Sequence, residues 1–123
     1  MKWTMTVFKD PMYVEIVTIG SADKKSSLEM AKEIAAVMRK NRMKRALIDH
    51  TNINSTSGGT AEVYERAKQF SLIGAIMGIK VAEVVKSEHR EFFRFLETVS
   101  VNRGYTFSTF EDKETALNWL LNG

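Results

Sequence analysis

Residues 4–9, TMTVFK, and 13–19, YVEIVTI, alternate or are β-branched on either side of Asp10-Pro11. Alternation sends successive side chains to opposite faces of a strand, and Asp-Pro favours a turn while removing a backbone donor. The pattern predicts an opening β-hairpin. Beyond it the period lengthens. Leu28, Met30, Ala31, Ile34, Ala35 and Met38 keep helical spacing, and Ser26 with Glu29 three residues later fits a capping box, so a helix over 27–41 is expected.

RALIDH (45–50) is a short apolar run ending in polar residues, as in a strand buried on both faces that delivers a loop at its C-terminal end. From Thr60 onward, Val63, Ala67, Phe70, Gly74 and Met77 mark one helical stripe, and Gly78 fits a left-handed cap. KVAEVV (80–85) is again a buried-strand type, and Ser87 can cap a helix whose Phe92, Phe95, Leu96 and Val99 share a face before Asn102 and Gly104 end it. YTFSTF (105–110) alternates as a last strand. Asp112 then caps a closing helix that turns Ala116, Leu117 and Leu120 inward beside Trp119.

The order ββαβαβαβα describes an α/β fold: a single mixed five-stranded sheet with an N-terminal β-hairpin followed by αβαβαβα. Strands separated by helices require right-handed crossovers and a parallel set, to which the hairpin adds an antiparallel edge. The 123 residues (14.0 kDa) suit one domain over 1–123, with no internal repeat, linker or low-complexity segment.

The absence of cysteine excludes disulfides, thiol nucleophiles and zinc-thiolate sites. No secretion signal is visible, and no apolar run approaches the roughly 20 residues that span a bilayer, so a cytoplasmic location is expected. The net charge is only +3, yet five of the seven residues in RKNRMKR (39–45) are basic. A helix C-terminus followed by a solvated turn accounts for such a run. The other reading is an anion, RNA or membrane-surface patch; against specific nucleic-acid binding stands the lack of aromatic residues interleaved with the cations.

Chemistry-bearing residues gather in LIDHTNINSTSGGTAE (47–62). Asp49, His50 and Ser55 or Ser57 have the composition of a hydrolase triad. Adjacent strand residues, however, point to opposite faces, so Asp49 cannot orient His50, and no Gly-x-Ser-x-Gly elbow is present. His50 and His89 are the only histidines, and without cysteine they suggest no metal site. Both are expected to be structural or exposed. Gly58-Gly59 before a helix could let backbone N–H groups converge on an anion, but Walker and dinucleotide spacings are missing, and no cofactor is expected. Alternatively, Ser57 or Thr60 caps the helix and the glycines make the turn.

NRGYTFSTFEDKETALNWL (102–120) resembles the C-terminal signature of the STAS/SpoIIAA-like proteins, with Phe110 ending a strand before an acidic cap and a helix carrying Trp119-Leu120. KVAEVV and ALIDH, with Asp49 at its end, sit where that family places its central strands. The resemblance implies a mixed sheet with helices and relatives that antagonise anti-sigma factors, bind kinase partners and are switched by phosphorylation of a serine at a helix start. More distant relatives of similar topology are CRAL-TRIO lipid carriers. The switch serine lies in an Asp-Ser-Ser-Gly type sequence; here Ser55-Thr56-Ser57-Gly58 follows Asn54, which makes Ser57 the matching phosphorylation candidate.

These residues imply a non-enzymatic regulatory or interaction module. It would recognise a protein partner or small anionic ligand through the 51–60 loop, with Asp49, Ser55, Thr56, Ser57, Gly58 and Gly59 as candidate contacts. The alternative is a carrier for a lipid or other apolar small molecule. Leu72, Ile76 and Phe93 lie off the inward helical stripes and would form a homodimer face or pocket lip, unless a wide core covers them.

Overall fold

The computed structural model describes residues 1–56, 78–102 and 106–122; the side chains of Lys24, Thr56 and Asn102 are not among those described. One sheet runs in the order β1 (Lys2–Lys9), β2 (Met12–Ala22), β3 (Arg45–Thr56), β4 (Lys80–Val84) and β5 (Thr106–Phe110). β1 pairs antiparallel with β2 through the Asp10-Pro11 turn, and β2 to β5 are parallel. Helix α1 spans Lys24–Asn41; α2 (Arg90–Asn102) follows a 3-10 turn at Ser87–His89; α3 spans Lys113–Asn122. The expected helix from Thr60 lies outside the described residues, as do Ser57, Gly58, Gly59, Leu72 and Ile76. Gly78 has φ +61°, in the left-handed region where a residue without Cβ is favoured.

Strand alternation divides the core between the two sheet faces. Val14, Ile16, Ala46, Ile48 and Val81 join residues of α1 and α2 in the larger cluster, whereas Tyr13, Leu47, Ala82 and Val84 pack with Ala116 and Leu120 of α3. Thus β3 and β4 are covered on both sides, which explains why apolar residues stand side by side in Ala46-Leu47-Ile48 and Val81-Ala82.

Several local expectations shift. α1 begins three residues early because Asp23, rather than Ser26, is its N-cap: the Asp23 carboxylate accepts the Ser26 backbone N–H at 2.9 Å. That hydrogen bond holds the Asp23 pKa below its ordinary value. Ser87 lies within the 3-10 turn instead of capping α2. Asp112 does cap α3, accepting the Thr115 N–H and hydroxyl, each at 2.8 Å.

In α2 the buried face is Phe93, Leu96, Val99 and Ser100, while Phe95 is 39% exposed. Phe93 therefore lies in the core, not on a second outward face. Both readings satisfy helical spacing around Leu96 and Val99. The outcome depends on Phe93 stacking against His50, with ring centroids 4.8 Å apart.

Candidate functional site

The long third strand carries the described part of the polar 47–62 stretch. β3 pairs with β4 only as far as Asp49–Val84, yet it continues beside β2 to the Ala22–Thr56 pair. The ends of β2 and β3 therefore project beyond β4 as a two-stranded ribbon. Ser21, Asn52, Asn54 and Ser55 are exposed on it, whereas Ile53 turns fully inward. The Ser21 and Ser55 hydroxyl oxygens are 2.6 Å apart across the paired strands, and Lys86 Nζ donates to the Ile53 carbonyl at 3.3 Å. These contacts hold the ribbon beside the segment after β4. Residues 51–56 thus lie at the C-terminal edge of the sheet, but the strand order is sequential and contains no reversal at which a crevice would open.

Asp49 and His50 diverge, as neighbouring strand residues must. Asp49 Oδ1 accepts the Thr51 backbone N–H at 2.9 Å and the Thr51 hydroxyl at 2.6 Å, a local turn-like arrangement. On the same face Lys113 pairs with Glu15. That hydrogen bond is the largest influence raising the Lys113 pKa, with the charges of Glu15, Tyr13 and Asp49 acting in the same direction.

On the opposite face His50 is only 3% exposed. Its Nδ1 is 2.7 Å from Thr18 Oγ1, which itself donates to the Asp49 carbonyl at 3.2 Å. The short Thr18 contact holds the ring's orientation. Nε2 is 2.8 Å from Glu83 Oε2, and Glu83 is also 3% exposed. The contact is close but off-axis: Oε2 receives no aligned hydrogen bond. It becomes an ion pair when the ring is protonated.

His50, Glu83 and Ser27 form the polar part of a cavity of about 50 Å³ whose wall is otherwise mainly apolar, including Met30, Ile34, Phe93 and Phe107. An engineered apolar cavity that admits benzene measures about 150 Å³. The volume here suits water or a ligand of a few atoms, and an acyl chain would require the helices to part. Sequence reasoning identified His50 but missed Thr18 and Glu83. The glutamate inside the apolar run KVAEVV was the available signal, because a carboxylate on a strand buried from both sides needs a partner.

No family model and no curated protein matches the chain. Solved structures do share its architecture: the chain has a SpoIIAA-like fold. One is an uncharacterized protein of the DUF3478 family from Shewanella loihica PV-4, 21% identical, with a TM-score of 0.57 over 97% of this chain and 92% of that one. Another is the anti-sigma factor antagonist SpoIIAA in its unphosphorylated form, 11% identical, with a TM-score of 0.58 over 99% of each chain.

Proposed function

We propose that this chain is a non-enzymatic regulatory module that binds a protein partner through the projecting ends of β2 and β3. The observation carrying the reading is the exposed ribbon of Ser21, Asn52, Asn54 and Ser55 beyond the last β4 pairing. Its short polar side chains can contact a partner surface without exposing a large apolar patch. The SpoIIAA-like fold supports the same assignment, since one protein with that architecture is an anti-sigma factor antagonist. Ser57 follows this ribbon directly in sequence. Phosphorylation there would add charge able to repel an acidic partner or attract a basic one.

Affinity purification from the source cells tests the reading with wild type and an Asn52→Ala/Asn54→Ala/Ser55→Ala variant. A partner recovered with wild type and lost from the folded variant supports it. Identical recovery overturns it.

The cavity beside His50 and Glu83 favours a second reading, binding of a compact molecule with an apolar body and a hydrogen-bond-donating head. Native mass spectrometry of freshly purified protein tests this: a bound small molecule lost in Glu83→Leu supports it, whereas an empty wild type counts against it.

A further inference from the structure

The basic run between α1 and β3 lies at the opposite edge of the sheet from the Ser21–Ser55 ribbon. Strand register brings residues distant in sequence to this edge: Lys9 pairs with Met12 at the hairpin end, and Arg45 pairs with Lys80 at the start of β3 and β4. Arg39 and Lys40 arrive in the last turn of α1, whose left-handed C-cap is Arg42, and Lys44 leads into β3. At roughly 4.8 Å per strand spacing, Lys9 to Lys80 spans about 15 Å.

Seven cations therefore share one edge with Asp10, in a chain whose total charge is only +3, leaving the remainder net negative. Lys9, Arg39, Lys40, Arg42 and Arg45 have no ion-pair partner among the described residues. Desolvation, followed by repulsion from Arg45, lowers the Lys80 pKa. The α1 dipole explains favourable placement of Arg39 and Lys40, but it does not explain why β1 and β4 add further cations.

Apolar side chains accompany this charge. Phe8 is 37% exposed and Met12 46% exposed at the hairpin end, while Val101 is 50% exposed near the C-terminus of α2. We infer that this edge docks on an anionic phospholipid surface, with Lys9, Arg39, Lys40, Arg42 and Arg45 over lipid headgroups, Lys80 being held by the Trp119 carbonyl and ring, and the hairpin tip entering the interfacial region. A bilayer uses both features: negative headgroups attract the cations, and the acyl boundary receives Phe8 and Met12. A nucleic-acid backbone would use the charge but offers no corresponding apolar layer. Docking at this edge leaves the Ser21–Ser55 ribbon at the far end of the sheet, facing away from the lipid.

Vesicle sedimentation tests the inference, using phosphatidylcholine with about one-third phosphatidylserine against pure phosphatidylcholine in about 0.1 M salt. Wild type is expected to partition onto the anionic vesicles alone. Each surface-adjacent cation is worth about fivefold, so Lys40→Glu/Lys44→Glu should lower partitioning by at least about 25-fold. Lys25→Glu/Lys32→Glu makes the same net-charge change elsewhere and should retain substantially more binding. Met12→Ser should weaken binding while leaving its salt dependence unchanged.

Circular dichroism verifies that each variant is folded. Equal wild-type binding to both vesicle types would overturn the inference, as would equal losses in the two charge-reversal variants. Tighter binding to a mixed-sequence oligonucleotide than to anionic vesicles at the same salt would also overturn it and assign the edge to nucleic acid.

Discussion

Replacing His50 by Leu should expose the electrostatic asymmetry of the buried pair. His50 and Glu83 are each 3% exposed, and their closest nitrogen and oxygen are 2.8 Å apart. With the imidazole removed, Glu83 is left without its nearest polar partner in a mainly apolar wall. Breaking a buried pair by removing one partner costs about 3–5 kcal/mol, because the group left behind is uncompensated. Glu83→Leu is gentler because the imidazole that remains keeps its Thr18 contact. We therefore expect His50→Leu to cost about 4 kcal/mol and Glu83→Leu about half as much.

Urea unfolding followed by circular dichroism measures both effects. With a slope near 2 kcal/mol per molar, the His50→Leu midpoint should move by about 2 M. Joint replacement by Leu should recover much of the loss, because two well-packed apolar groups often match a buried pair. Equal costs for both single variants would refute the reasoning and show that water solvates Glu83.

Core truncation should separate the two neighbouring aromatics: Phe93→Ala is expected to cost about 3–5 kcal/mol, and Phe95→Ala under about 1 kcal/mol, by urea unfolding. A reversed order would refute the assigned inward face of α2. The Asp23 and Asp112 pKa values are lowered chiefly by backbone N–H donors at their helix caps. Their stabilisation is present above the unfolded aspartate value near pH 3.9 and disappears as pH falls through the lower folded values. Thermal unfolding from about pH 5 to pH 2.5 should fall less steeply for Asp23→Asn/Asp112→Asn than for wild type; parallel curves would contradict the cap assignment. Ser57→Asp should change affinity for a partner recovered through the β2–β3 ribbon, as measured by calorimetry, whereas unchanged affinity would remove Ser57 from the proposed regulation.

Much of the architecture was legible because it depends on local periodicity. Two-residue alternation marks β1 and β2, helical spacing marks α1 and α3, and consecutive apolar residues identify strands covered on both faces. Asp112 could also be identified locally, since an N-cap needs only an acceptor beside the first helical N–H groups. Periodicity was insufficient in α2: Leu96 and Val99 fit a buried face containing either Phe93 or Phe95, and the long-range His50 stack selects Phe93.

The candidate sites show the same division. Sequence alternation alone separated Asp49 from His50, because backbone geometry sends adjacent strand side chains in opposite directions. Only strand pairing could place Thr18 and Glu83 around His50, extend β2 and β3 beyond β4, and bring Lys9 and Lys80 to the edge occupied by the 39–45 run. Register is a relation between distant segments: a shift by one residue would send each of these side chains to the other face.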